Sequence, residues 1–210
     1  MRRKKNRSGR ANDPYSRLAK KERFPARSVY KLKEMQAKFG LIKKKDRVLD
    51  LGCFPGSWLL YAAEAAGPRG RVVGVDLKPL SIQIPSNAEV LRSDILSMVD
   101  EKIKKKFNVV LSDAAPSTTG IKIVDAVRSY ELCQAALSIA RQTLVPGGSL
   151  ACKIFVGEDF AVFNESVKKR FRSCKIFKPR SSRKASKEIY LIGSGYKSRR
   201  GENVGTQQMV

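Results

Sequence analysis

DRVLDLGCFPGSWLLYAAEAAGPRGRVVGVDL, residues 46–77, reads as one strand–turn–helix–strand unit. Apolar residues crowd the stretch from Arg47 to Leu51 and predict a short buried strand; a glycine-containing turn and a helix from about Ser57 to Ala66 follow. GRVVGVDL then repeats the strand pattern and ends at Asp76. Outward from this unit the alternation continues. AEVLRSDIL (88–96) supplies a weaker strand before Asp94, and a charged helical stretch leads into FNVVLSDAAPSTTG (107–120), whose contiguous aliphatics predict a strand from Val109 to Asp113. A long helix spans Ile123 to Leu144 and is stopped by PGG; GSLACKIFV (148–156), SCKIFKP (173–179) and KEIYLIG (187–193) read as strands, with the amphipathic helix DFAVFNESVKKRF (159–171) between the first two. Upstream, PARSVYKLKEMQAKFG (25–40) has Pro25 near a helix start, Gly40 at its end and Leu32, Met35 and Phe39 at helical spacing. Alternating strands and helices imply an α/β chain with a twisted, mostly parallel sheet covered on both faces. The 210 residues suit a single domain. We expect a flexible basic arm over residues 1–20, the folded domain over 21–195 and a disordered tail over 196–210.

The charge constrains the partner. Lys plus Arg number 43 against 19 Asp plus Glu, a formal +24 that suits a polyanion, nucleic acid first. Basic residues cluster in the arm, in KKERFPARSVYK (20–31), in KPRSSRKASK (178–187) and in GYKSRR (195–200), a pattern that favours phosphate contacts. Such contacts position a nucleic acid without naming its sequence. No apolar run approaches the roughly 18 residues of a membrane span, and MRRKKNRSGR lacks the apolar segment of a secretory signal, so no membrane partner and a cytoplasmic location are expected. Cys53, Cys133, Cys152 and Cys174 are scattered without a C-x-x-C pair, and no metal site is expected. The chain has no histidine, which excludes Ser-His and Cys-His catalysis and leaves Asp, Glu, Lys, Tyr or the substrate itself as general base.

Two features point to a ligand. The turn DLGCFPGSW (50–58) joins a strand to a helix, where backbone can approach a nucleotide, yet Gly52 and Gly56 do not complete the G-x-G-x-x-G of a pyrophosphate-binding turn. Asp76, twenty residues after Gly56 at a strand end, is placed to take a ribose hydroxyl pair. A cofactor with a ribose but no pyrophosphate fits both facts, and S-adenosylmethionine is such a cofactor. Asp113 closes a buried strand at the edge where open parallel sheets bind ligands, although the stretch alone favours a capping or turn aspartate. Lys153 sits among apolar neighbours in SLACKIF and is costly to bury unless partnered, used, or able to reach water from the strand's end. Glu188, beside Lys184 and Lys187, reads as a surface ion pair, and Lys31, one turn after Arg27, as solvated surface.

DLGCFPGSW resembles the first motif of the FtsJ-type RNA 2′-O-ribose methyltransferases, usually written D-L-G-x-x-P-G-G-W. The resemblance continues through ARSVYKL, VDL, SDIL, SDAAPSTTG, GGSLACKIF and SSRKASKEIYLI, in family order over about residues 12–195. Ser57 stands where the family has its second glycine, and Cys53 and Phe54 replace small residues. The resemblance implies a Rossmann-like, seven-stranded, S-adenosylmethionine-dependent methyltransferase. It implies cofactor contacts at Gly56, Trp58, Asp76, Asp94 and Asp113, with Asp76 on the ribose and Asp94 near the adenine; read without it, Trp58 is equally a core aromatic. The family's Lys-Asp-Lys-Glu tetrad falls on Lys31, Asp113, Lys153 and Glu188. On this reading Lys153 is the base or orients the hydroxyl, Asp113 holds Lys153 and the donor in register, Glu188 orients Lys153, and Lys31 meets the target ribose or its phosphate.

The sequence also weighs against other acceptors. Pro116 is flanked by Ala115 and Ser117, without the cysteine of pyrimidine C5 methylation, and SDAAPS lacks the stacking aromatic of exocyclic-amine enzymes. Within the family, the compact chain resembles enzymes of the A-loop uridine in large-subunit ribosomal RNA more than those of the tRNA anticodon loop. The expected partner is ribosomal RNA within the large subunit, bound by a monomer. A non-enzymatic ribosome-assembly factor and a nicotinamide oxidoreductase are the readings from other classes, opposed by the intact tetrad and by the incomplete glycine fingerprint respectively.

Overall fold

A computed structural model describes residues 13–97, 106–116, 119–183 and 185–198. Seven strands form one sheet: β1 (Arg47–Leu51), β2 (Arg71–Asp76), β3 (Ala88–Arg92), β4 (Phe107–Ser112), β5 (Leu144–Phe155), β6 (Phe171–Phe177) and β7 (Glu188–Tyr196). The order is β3-β2-β1-β4-β5-β7-β6, with β7 antiparallel to both neighbours and every other pairing parallel. Five helices are described: α1 (Pro14–Lys21), α2 (Val29–Phe39), α3 (Ser57–Ala66), α4 (Lys122–Thr143) and α5 (Phe160–Arg170).

The central strands are apolar on both faces because both faces are covered. Leu49 and Leu51 of β1 pack with α4 and α5 residues such as Cys133, Ala140 and Phe163, while Val48 packs with Leu32 and Met35 of α2 and Trp58, Leu59 and Ala62 of α3. The chain runs outward from β1 through β2 to β3, then returns to place β4 on the other side of β1. The order therefore reverses between β1 and β4, the crevice in which open α/β sheets bind ligands.

Three expectations change. Residues 14–20, expected as the end of a flexible arm, belong to α1: Asp13 caps it by accepting from the Ser16 amide (3.2 Å) and hydroxyl (2.7 Å), Pro14 fits its first turn, and Ala19 is buried. The PGG after α4 does not separate helix from strand, since β5 begins at Leu144 and runs through Pro146–Gly148. A register shift against β4 between Phe107 and Val109 accommodates this extra backbone. β7 continues to Tyr196, one residue past the expected domain end. The arm's residues 1–12, the stretch 98–105 and residues 199–210 lie outside the described residues.

Candidate active site

Strand register brings the tetrad together. Ser112 at the end of β4 pairs with Cys152 of β5, so the next residues along, Asp113 and Lys153, emerge side by side at the carboxyl edge of the sheet. Lys153 Nζ lies 3.0 Å from Asp113 Oδ1 and donates to the Asp113 carbonyl as well. On the other flank of β5, Lys153 pairs with Tyr190 of β7. Tyr190 is fully buried, and its hydroxyl donates to Asp113 Oδ1 at 2.6 Å. Lys31, on α2, reaches the same point: its Nζ is 2.7 Å from Glu188 Oε1 and 3.8 Å from Asp113 Oδ1.

All four tetrad members thus share one cluster, and the sequence reading of Lys31 and Glu188 as surface charges gives way to side chains only 13% and 12% exposed. One expected role changes. Glu188 pairs with Lys31 rather than Lys153, and it accepts a further bond from the Ser182 hydroxyl at 2.9 Å. Burial alone would raise the Asp113 pKa, but the Lys153 and Lys31 charges and the Tyr190 hydroxyl outweigh it and hold the carboxyl below its usual range. The site therefore keeps Asp113 as an anion wherever the protein is folded near neutral pH.

Asp113 also lines a cavity of about 300 Å³ at the β1/β4 crevice, together with Gly52, Phe54, Asp76, Asp94 and Ala114. Gly52 is required there: its φ is +79°, and an added Cβ would stand 2.7 Å from the Ala114 Cα. Asp76 is fixed by backbone, one oxygen accepting from the Phe54 amide and the other from the Lys78 amide, both at 2.9 Å. Asp94 is held by the Leu96 amide at 3.0 Å. The carboxylates expected at a ribose and an adenine thus line one wall with Asp113. A second cavity, of about 280 Å³, lies at the opposite edge of the sheet beside Arg47, Arg71 and Phe107, away from the tetrad.

Gly56 and Trp58, expected at the cofactor, do not line the cavity. Gly56, at φ +107°, starts α3 where an added Cβ would strike Ile82 Cδ1 at 2.3 Å. Trp58 is buried against Tyr190, and its indole N–H donates to the Ser28 carbonyl at 2.8 Å. Ser57, the departure from the family motif, does related work: its hydroxyl accepts from the Ala26 amide (2.7 Å) and donates to the Ala26 carbonyl (3.1 Å). The two side chains opening α3 therefore clamp residues 26–28, from which α2 projects Lys31. Sequence reasoning assigns no role to Ser57, Tyr190 or Ser182. For Ser57 the signal is the replaced glycine; Ser182 and Tyr190 lie within the family stretch SSRKASKEIYLI without a role of their own.

Asp50, the first residue of the DLGCFPGSW motif, is likewise assigned no role by the sequence reasoning. It lies in β1 with no exposed surface, and neither carboxylate oxygen has a hydrogen-bond partner among the described residues. Burial, and then the charges of Asp113 and Asp76, raise its pKa well above the usual value.

Residues 24–196 match the FtsJ-like methyltransferase family. A protein of Desulforapulum autotrophicum named ribosomal RNA large subunit methyltransferase E is 53% identical over 188 residues, covering 88% of this chain and 93% of that one. A second of the same name, from Desulfatibacillum aliphaticivorans, is 50% identical over 196 residues, covering 92% of this chain and 95% of that one. A crystal structure from Plasmodium falciparum, assigned as a ribosomal RNA methyltransferase, superposes with a TM-score of 0.72 at 28% identity, covering 84% of this chain and 100% of that one.

Proposed function

Since this chain belongs to the FtsJ-like methyltransferase family, we propose that it methylates a ribose 2′-hydroxyl of large-subunit ribosomal RNA, using S-adenosylmethionine. The observation that carries the reading is the double position of Asp113, which lines the crevice cavity and contacts Lys153 at 3.0 Å. One carboxylate thereby joins a place for a methyl donor to a lysine that can address a hydroxyl.

The cavity fits the donor. Its glycine turn at Gly52, at positive φ against Ala114, admits close backbone approach. Asp76 retains lone pairs for a ribose diol, and Asp94 stands beyond it for the adenine. When bound, S-adenosylmethionine supplies an electrophilic methyl group on a positively charged sulfur.

The remaining chemistry belongs to side chains of this protein. A ribose hydroxyl must lose or share its proton as it attacks in line, and Lys153 is the group placed to take or steer that proton. Asp113, itself aligned by Tyr190, fixes Lys153 through two contacts and so sets the direction of attack. Lys31, paired with Glu188 beside a cavity lined by Arg27, Ser181 and Arg183, meets the ribose or its phosphate. Lys153, or a water it orients, would take the hydroxyl proton as the ribose oxygen accepts the methyl group that bound S-adenosylmethionine would supply, the bonding electrons staying with its sulfur.

The formal charge of +24 matches an RNA substrate, and the relatives' names favour the large ribosomal subunit over tRNA. We assign the A-loop uridine as the target and the cytoplasm as the location, with the protein acting as a monomer. Labelled S-adenosylmethionine should be incubated with large subunits, deproteinised ribosomal RNA and tRNA, followed by nuclease mapping of the product. A ribose-methylated uridine in large-subunit RNA is expected. Label on a base, on tRNA alone, or nowhere rejects the assignment, the last leaving a non-enzymatic assembly factor.

A further inference from the structure

Seven residues along α2 from Lys31, and so roughly 10 Å along its axis, the molecule carries a second basic surface that the methyl-transfer site does not use. It is an open groove of about 900 Å³ between α1, α2 and the edge strand β6, with walls that include Tyr15, Tyr30, Lys38, Phe177, Lys178 and Arg180. We propose that this groove binds the sugar-phosphate backbone of the RNA flanking the methylated nucleotide. The inference rests on the reading above and extends it by naming the path the substrate takes away from the tetrad.

Three observations carry it. The first is uncompensated charge. Lys38, Lys178 and Arg180 are exposed, and among the described residues none is paired with a carboxylate. Lys33 is already matched by Glu22 at 2.5 Å. Glu34, the one carboxylate lining the groove, is turned onto backbone, accepting from the amides of Arg180 (2.6 Å) and Ser181 (2.8 Å). Three cations therefore face solvent with one anion, itself occupied.

The second observation is continuity. Arg180 lines the groove, and Ser181, the next residue, lines the cavity of about 410 Å³ that contains Lys31 and Glu188. Glu34 pins the backbone between the two, so groove and catalytic cavity share one fixed wall. A strand whose ribose reaches Lys153 thus has a basic surface under its neighbouring phosphates.

The third is the character of the floor. The Lys38 ammonium lies 4.9 Å from the Phe177 ring centroid and 5.6 Å from that of Phe39, and the two rings meet edge to face. These contacts support Lys38 at the rim while its charge stays exposed. Lysines on an edge strand also discourage strand pairing, but that role would not recruit cations from a helix and the following loop to the same groove.

Phosphate contacts are read by salt dependence. Binding of the full chain to deproteinised large-subunit ribosomal RNA should be measured against salt for the wild type, Lys38→Glu, Lys178→Glu and the double variant. Removing one lysine–phosphate pair should lower the log–log slope by about 0.7 on single-stranded RNA, or about 0.9 on duplex. KM for the long RNA should rise several-fold. Transfer to an oligonucleotide limited to the mapped target and its immediate neighbours should stay at the wild-type level, as should S-adenosylhomocysteine binding. The neutral Lys38→Gln variant repeats the test should a reversed charge unfold the protein.

Slopes and KM unchanged in the double variant overturn the proposal. Weakening confined to intact subunits, with naked RNA unaffected, also overturns it and assigns the groove to a ribosomal protein. Failure of the wild type to methylate any RNA refutes the functional reading instead, while the binding slopes still report on the groove.

Discussion

Asn in place of Asp50 should change how the fold responds to pH. Asp50 lies in β1 between β2 and β4, without exposed surface and with neither carboxylate oxygen hydrogen-bonded among the described residues. Its native pKa is raised, by burial first and then by Asp113 and Asp76. In the unfolded chain it ionises near pH 3.9. Between that value and the native one, the folded protein holds a proton that the unfolded chain has released, so stability falls as pH rises, by about 1.4 kcal/mol per unit. The loss accumulates over whatever part of the range lies below the native pKa, and each kcal/mol is worth roughly 2–4 °C in Tm for a chain of this size.

The window is unusually clear. There is no histidine to titrate in it. Asp113, with a lowered pKa, contributes stability that is present above the unfolded carboxylate value and lost only as pH falls through its native one, below the window. Cys53, pushed up by burial, titrates above it. Urea unfolding of the wild type at half-unit steps should show the decline, and Asp50→Asn, with no proton to hold, should flatten it whatever constant cost its amide carries. Parallel curves for the two proteins from pH 5 to 7 would refute the reasoning.

Lys153→Ala should abolish transfer while S-adenosylhomocysteine binding, followed by calorimetry, stays near the wild-type value; loss of both would move Lys153 into the cofactor site. Tyr190→Phe deletes the 2.6 Å bond to Asp113 and should lower kcat roughly tenfold, as a hydrogen bond to a charged group is worth about 1.5–3 kcal/mol. Because that bond helps depress the Asp113 pKa, the acid limb of the pH–rate profile should also move up, and an unmoved limb counts against the positioning role. Ser57→Ala removes both bonds to Ala26 and should cost about 1–3 kcal/mol in urea unfolding, with kcat reduced because the segment leading to Lys31 loosens. Unchanged kcat at that loss of stability would confine Ser57 to a structural role.

What the sequence makes legible is local or ordered along the chain. RVLDL and RVVGVD announce strands because both faces are buried, and the tetrad residues are found by the order of their motifs. Contacts across long sequence separations are hidden. Residues 14–20 read as the end of a basic arm because a single residue, Ala19, is buried; the cap on Asp13 and the Arg27–Asp13 ion pair at 2.5 Å show only in three dimensions. The continuation of β5 through Pro146–Gly148 contradicts turn chemistry and is set by its pairing with β4. Trp58 and Ser57 belong by motif to the cofactor turn, whereas their side chains face Ser28 and Ala26, about thirty residues upstream.

The charges of the tetrad explain why so polar a cluster is kept under a well-packed sheet. Lys31 and Lys153 balance Asp113 and Glu188, and every member has an opposite charge within 3.0 Å. Buried ion pairs of this kind are poor sources of stability, since apolar side chains of similar volume often serve the fold as well. Their value lies in aim. Lys153 is held from β5, Asp113 from the end of β4, Glu188 from β7 and Lys31 from α2, so four separate elements set the geometry of the cluster. The cluster is balanced in charge, whereas Asp76 and Asp94, which line the crevice from different strand ends, carry no paired cation among the described residues. Crevice and cluster are thus built from separate carboxylates, with Asp113 the side chain common to both.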